Sequence, residues 1–456
     1  MLFLSLMMAS PHADAFCGAY VGNGESSPTN RASQIVIARS GTSTTLTMFN
    51  DYEGDLAAFG LVVPVPAGVD SDNVRLADRT LLEKLDGYSQ PRQVAYTCDD
   101  WYGVSEAAVE ARQLARRSSG GGCGGSSNDS GGWYTNDSGV REGSSGDTGV
   151  HVIDEFDLGE YTAWVVAAEG SEGLMAWLSA NGFAVDDTTS AVFDEYIAAG
   201  SHFLALRVDL DEAPATNWLS PLQVGYDTEA WSLPIRMGAA SSAGVQDLVV
   251  YAVTEPDAGR VGISNYVETP APAAECLVDI EEGGSVLDWY ETQFELTTGL
   301  PATPETLGGR QGFAWTTEYG WGSGACDPCT NTGPLTQDDV TGLGFDAHYG
   351  WYLTRLHLRY TPEAVTEDIS FYASRVTENT QLRYVSHTWE LESAMPTCGA
   401  LEGAADAPAC YSSEYWARKE QEGEAGTSVR NDDFKKCGGS SAALLLLPLL
   451  FWRRRW

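Results

Sequence analysis

The octapeptide Leu353-Thr354-Arg355-Leu356-His357-Leu358-Arg359-Tyr360 repeats with a period of two. Successive side chains of an extended chain point to opposite faces. Leu356, Leu358 and Tyr360 therefore share one face of a strand, and Arg355, His357 and Arg359 share the other. Three basic groups in register stand out in a chain with 26 Lys and Arg against 64 Asp and Glu. Arginine grips carboxylates and phosphates through two parallel hydrogen bonds. Arg355, His357 and Arg359 are thus candidate anion-binding residues for a carboxylate, a phosphate or an acidic glycan. The competing reading pairs them with the chain's own abundant carboxylates.

Outward from that strand the pattern is mixed. Ser33 to Arg39 and Thr44 to Phe49 are β-rich runs around Ser40-Gly41-Thr42, a hairpin signal. Phe59 to Val65 reads as a strand stopped by Pro64 and Pro66. Tyr161 to Ala167, Phe203 to Val208, Leu248 to Val253 and Gln381 to His387 add further strands. Helical spacing appears over Leu76 to Leu85, ending at Gly87, and again after a Ser171 cap, with Leu174, Trp177 and Leu178 on one face and Gly182 as the stop. Val192, Phe193, Tyr196 and Ile197 mark another helix, Val286, Tyr290 and Phe294 a third stripe, and Ser105 caps a helix through Arg117. Strands and helices intersperse without a βαβ rhythm, so the expected class is α+β, with mixed sheets and two subdomains.

The divisions follow composition. Residues 16–117 form a β-rich N-terminal subdomain and 150–395 an α+β subdomain. Between them, 118–149 is a Gly/Ser-rich linker in which Asn-Asp-Ser-Gly occurs at 128 and 136. Such a composition cannot bury enough apolar area to offset its ordering entropy. Residues 396–436 read as a polar spacer, pinned at its start by Cys398 and Cys410.

Both ends carry export signals. Leu2 to Met8 is apolar and Ala13-Asp14-Ala15 has the small-x-small form of a signal-peptidase site, which makes 1–15 a signal peptide. At the other end Cys437, Gly438 and Gly439 precede an apolar run, Ala442 to Trp452, and then Arg453 to Arg455. A helix there spans roughly 20 Å, short of the roughly 30 Å of bilayer hydrocarbon. The layout of 437–456 resembles the removable C-terminal sorting tags of bacterial surface proteins, of the MYXO-CTERM or GlyGly-CTERM type. The expected partners are the export machinery, signal peptidase, a C-terminal sorting protease and a membrane reached through the tag. The expected location is the cell surface or outer envelope of a Gram-negative bacterium.

Composition narrows the chemistry. The formal charge is −38, a surface that repels nucleic acid. With Cys437 assigned to the tag, Cys17, Cys98, Cys123, Cys276, Cys326, Cys329, Cys398 and Cys410 form an even set, as expected of disulfides in an exported chain. Their pairing stays open. Cys326-Asp327-Pro328-Cys329 has the spacing of a redox pair, but its Gly/Ser/Thr flanks read as loop, and a structural bridge or a metal site competes. No EF-hand, GxSxG or HExxH occurs, and His151, His202, His348, His357 and His387 lack metal-ligand spacing. No metal or cofactor is expected. Gly120, Gly122 and Gly125 match GxGxxG only inside a glycine run with no strand before it.

Several segments together carry a family resemblance. They are Phe16-Cys17-Gly18, Asn30 to Gln34, Leu46-Thr47-Met48 with Asn50-Asp51-Tyr52, Val62 to Pro66, Leu85-Asp86-Gly87-Tyr88-Ser89 with Pro91-Arg92, Ser220 to Gln223, Leu233 to Arg236, Cys326 to Cys329 and Leu353 to Tyr360. In this order the chain resembles the domain of unknown function family 2330 over most of 16–395. The resemblance implies a secreted or surface bacterial protein and brings no known activity. The 118–149 insertion and the additional cysteines depart from it.

The resulting expectation is an exported, surface-anchored protein that binds or supports structure. An extracytoplasmic hydrolase of an envelope polymer and a thiol-disulfide protein are the alternatives. A pocket holding His357 against a converging carboxylate favours the enzyme; a flat exposed basic stripe favours binding.

Overall fold

The computed structural model describes residues 19–21, 29–30, 33–49, 52–53, 60–99, 149–183, 185, 189–208, 219–240, 242, 244–272, 276–279, 285–300, 312–323, 333–398 and 408–421. The Cys17, Cys123, Cys326 and Cys329 side chains, the helix expected over 105–117, nearly all of the expected Gly/Ser linker and the two expected export signals lie outside them.

Strand Tyr352–Tyr360 and its neighbours build an eight-stranded sheet. Its order is β19 (Thr380–Gln381), β16 (Phe313–Gly322), β17 (Tyr352–Tyr360), β14 (Gln246–Thr254), β3 (Ser33–Ser40), β4 (Ser43–Phe49), β12 (Leu222–Asp227) and β7 (Val74–Leu76). Only β3 and β14 run parallel. A five-stranded antiparallel sheet runs β1 (Ala19–Val21), β6 (Gly60–Val65), β11 (His202–Val208), β10 (Tyr161–Ala168) and β9 (Val150–Leu158). Smaller sheets join β13 (Ser232–Leu233), β18 (Ile369–Ala373) and β15 (Val261–Ile263), then β2 (Thr29–Asn30) with β5 (Tyr52–Glu53), and β20 (Arg383–Val385) with β8 (Arg92–Val94).

Period-two burial explains how the sheets stack. Ile35, Ile37, Leu248, Val250, Leu356 and Leu358 from the large sheet meet Leu61, Val63, Val165, Leu204 and Leu206 from the five-stranded sheet in one core. The far face of the five-stranded sheet, with Trp164, Val166 and Phe203, is covered by α2 (Ser171–Ala180) and α3 (Ser190–Ala198). The far face of the large sheet is covered by α1 (Thr80–Ser89), through Leu82, Leu85 and Tyr88, and by α5 (Val286–Thr298), through Tyr290 and Phe294. Both faces of β17 are consequently buried along its whole length. Among the described residues there are three further elements of this kind to place: the short α4 (Arg236–Ala240), α6 (Gln337–Gly342) and α7 (Ser413–Gln421). The class is α+β.

Several boundaries differ from the sequence reading, each for a local reason. Leu76 ends strand β7, and α1 begins at Thr80. Gly87 lies inside α1, which stops at Gln90 because the residue before Pro91 is pushed out of the helical region. Pro64 lies within β6; β1 pairs only with Gly60 to Val62, so no ladder bond is lost on that side. Ser171 is the first helical residue rather than the cap, and its N–H donates to Asp194. Gln381 to His387 divides between β19 and β20. The segments 16–117 and 150–395 do not keep to themselves: β3 lies between β14 and β4, and β6 beside β11, so they share both large sheets.

Two disulfides tie the C-terminal part back onto this body. Cys98 bonds Cys410 and Cys276 bonds Cys398, across 312 and 122 residues of sequence. Beyond Cys410, α7 departs from the spacer reading. Tyr415 is buried and donates to Glu390, Lys419 pairs with Glu390, and Arg418 stacks on Trp389. Joining such distant points restricts the unfolded chain strongly, so a Cys276→Ser/Cys398→Ser variant is expected to lose about 2–5 kcal/mol in urea unfolding. An unchanged urea midpoint would show that the bridge holds nothing the core does not already hold.

Candidate functional site

The basic face of β17 gathers ionisable groups from four neighbouring elements, and it is internal. Arg355, His357 and Arg359 are 8%, 4% and 2% exposed. Each finds its anion on a neighbouring element. Antiparallel pairing sets Asp247 of β14 directly opposite Arg359 and Tyr251 opposite Arg355. On the other side, β16 slips register between Thr317 and Tyr319, and the extra residue is Glu318. A bulge of this kind re-aims one side chain; here it places a carboxylate between Arg355 and His357.

Arg355 donates from Nε to Glu318 at 2.6 Å and from a terminal nitrogen to Asp86 of α1. That same nitrogen donates to the Tyr251 hydroxyl at 2.9 Å, and Tyr251 donates to Asp86 at 2.6 Å. His357 places Nε2 against Asp247 and Nδ1 at 3.1 Å from Glu318, with the Tyr290 hydroxyl 3.0 Å from Nδ1. Tyr290 in turn donates to Glu318. Arg359 donates from Nε to Asp247 at 2.6 Å and from a terminal nitrogen to Glu291 at 2.6 Å. Phe294 stacks on the His357 ring at 4.2 Å between centroids, and the Arg359 guanidinium lies 4.9 Å from the Phe294 centroid.

Helix α5 closes this layer, and its ends are built to hold it there. Ser285 and Asp288 form a reciprocal capping box, and Gly299 ends the helix at φ 69°, a left-handed position that glycine adopts without strain. Tyr290, Glu291 and Phe294 fall on the helix face turned toward β17. From the other flank, α1 supplies Asp86 and Ser89.

The electrostatics follow from this geometry. Burial disfavours the His357 cation, but the charges of Asp247 and Glu318 outweigh it and raise the imidazole to about 10. Burial likewise opposes ionisation of Glu318, yet Arg355 and His357 hold its carboxyl down at about 2. Asp247 is depressed in the same way, against its burial, by His357 and Arg359. Burial drives both Tyr251 and Tyr290 well above the ordinary phenol value, so neither is a phenolate near neutrality. An imidazolium with two donors satisfies both neighbouring carboxylates, which leaves His357 unable to accept a proton at neutral pH as a general base must.

The candidate anion-binding residues are thus brought together, and the anions they meet among the described residues are Asp86, Glu318, Asp247 and Glu291. Carboxylates do converge on His357, and the basic stripe is buried among the described residues rather than exposed. Cys98, Cys276, Cys398 and Cys410 are bridged. Among the described residues, no group of three or more His, Cys, Asp or Glu side chains is arranged to hold a metal ion, and no helix is long and apolar enough to cross a membrane. Sequence reading missed Glu318, Asp247 and Glu291, and it placed Tyr290 only on a helical stripe. The available signal was a lone carboxylate inside the aromatic run Phe313 to Trp321.

The chain belongs to the family described as "Uncharacterized protein conserved in bacteria (DUF2330)", which matches residues 11–372. Two of the segments that carry the resemblance, Leu85 to Ser89 and Leu353 to Tyr360, meet in the Asp86–Arg355 pair. No curated protein matches the chain. Among solved structures it is similar to a mutated baculovirus P35 after caspase cleavage, at 8% identity over 76% of this chain and 97% of that chain, with a TM-score of 0.21.

The pH dependence of stability has a definite sign. His357 is raised from 6.5 to about 10 on folding, so its contribution is complete below pH 6.5 and is lost as pH rises through about 10. Glu318, lowered from 4.5 to about 2, contributes above pH 4.5 and loses that contribution as pH falls toward 2. His357→Gln should destabilise by on the order of 3–5 kcal/mol near pH 6. The gap between variant and wild type should then narrow steadily between pH 6.5 and 10 in urea titrations. A gap independent of pH would mean that His357 is buried neutral.

Proposed function

We propose that this DUF2330 protein is an exported, surface-anchored bacterial envelope protein that acts by binding or as scaffold rather than by catalysis. The observation that carries the reading is the pair of disulfides, Cys98–Cys410 and Cys276–Cys398. Bridges that close such long stretches of sequence suit an oxidising compartment and are rare in a reducing cytoplasm. The signal-like 1–15 segment and the Cys437-Gly438-Gly439 tag point the same way, with export machinery, signal peptidase and a sorting protease as partners. A formal charge of −38 supports a strongly solvated surface and disfavours nucleic acid. Against the hydrolase alternative stands the state of His357, whose two ring nitrogens are both occupied by carboxylates.

Cell fractionation with intact-mass analysis tests the reading. The expected product is found in the envelope or at the surface, lacks Met1 to Ala15 and Ala442 to Trp456, and resists thiol alkylation at Cys98, Cys276, Cys398 and Cys410 until reduced. Recovery from the cytoplasm with those four cysteines reactive would contradict it.

A further inference from the structure

The large sheet ends in an asymmetric way at its β7 edge. Strand β7 covers only Leu222 to Val224 of β12, through Leu76 to Val74. Beyond that point Gly225, Tyr226 and Asp227 still pair with Thr45, Thr44 and Ser43 of β4 on their inner side, but β7 no longer flanks them. A half-open cleft of about 390 Å³ lies there. Its walls are Ser43, Gly225, Tyr226 and Asp227 on the sheet side, with Asn73 and the Ala67–Gly68–Val69 turn opposite.

We propose that this cleft is a binding site for a neutral sugar unit of an extracellular or envelope polysaccharide. The inference deepens the binding reading above and rests on it. Volume comes first: the cleft falls within the range of small-molecule sites, and its open side lets a polymer enter and leave. Two glycines keep it clear. A Cβ on Gly225 would meet only the Asn73 carbonyl oxygen, at 3.9 Å, and one on Gly68 would meet nothing within 4 Å. The lining supplies the groups that hydroxyl-rich ligands use: the Ser43 hydroxyl, the Asn73 amide, the Asp227 carboxylate, and an aromatic residue in Tyr226.

Rigidity supports the assignment. Tyr226 packs against the core between the sheets and Val69 is buried in it. Asn73 is held by the backbone N–H of Asp70, which donates to its side-chain oxygen at 2.9 Å. That leaves its amide nitrogen as the donor. Charge then selects the ligand. Among the described residues that line the cleft there is no Lys, Arg or His. Arg39, beside Thr44, is taken up by hydrogen bonds to Thr44 and to the carbonyls of Thr228, Glu229 and Ala230, and the chain as a whole is at −38. An acidic sugar would therefore meet net repulsion with no cation in the described lining to receive it, whereas a neutral one is not repelled.

The test uses the full mature chain on an array of neutral and acidic oligosaccharides, followed by calorimetry with N-acetylglucosamine and glucose tetramers. Binding of at least one neutral glycan is expected. Gly225→Leu, which fills the cleft, should weaken it roughly tenfold or more while the melting temperature holds. Asp227→Asn and Ser43→Ala, which leave the backbone untouched, should each weaken it measurably and keep the result interpretable if Gly225→Leu fails to fold. The proposal is overturned if no neutral glycan binds, if only acidic glycans bind, or if binding survives these substitutions in folded protein. Any of those outcomes leaves the fractionation result above unaffected.

Discussion

Three cations buried in one strand constrain everything around them. Moving an ion from water into a protein interior costs several kcal/mol even after relaxation, and the cost is offset only where counter-charges and hydrogen bonds are well placed. Arg355, His357 and Arg359 meet that condition through four carboxylates drawn from β16, β14, α1 and α5. No single neighbour would suffice. The β16 bulge, the β14 register and both covering helices must all be in place before the basic face of β17 can be buried.

The network is graded in depth. Glu318 sits at its centre with a side chain 2% exposed, whereas Asp247, Asp86 and Glu291 reach 31%, 29% and 48%. The outer carboxylates therefore keep part of their hydration, and the inner one depends wholly on Arg355, His357 and Tyr290. This division also lets a strongly acidic chain hold these three cations inside. Excess negative charge stays at the surface, where solvent screens it, and the cations serve as internal counter-ions.

Much of this was legible in the sequence. The period-two pattern of Leu353 to Tyr360 defined strand β17 and its two faces, and the apolar spacing of Val286, Tyr290 and Phe294 defined α5. The family resemblance pointed to the segments that meet at Arg355. What was not legible was the content of the far side. Alternation tells that Arg355, His357 and Arg359 share a face, but it says nothing about what covers that face. The covering depends on contacts across more than two hundred residues, such as Arg355 with Asp86. Nor can the Glu318 bulge be seen from β16 alone, because a slip in register is a property of the strand pair. The interleaving of β3 between β14 and β4 escaped for the same reason, since a parallel pairing leaves no turn signal in the chain. The cleft beside β12 arises from β7 being shorter than its neighbour, which only the paired registers reveal.

The central claim is that His357 is an imidazolium locked between two carboxylates of its own chain. Nitrogen-15 NMR of the folded, histidine-labelled protein tests it most directly. The account predicts that both ring nitrogens of His357 carry protons at pH 8, with shifts that change only toward pH 10. A ring with one unprotonated nitrogen at pH 8, titrating near 6.5, would contradict the account and return the basic face of β17 to the search for a ligand.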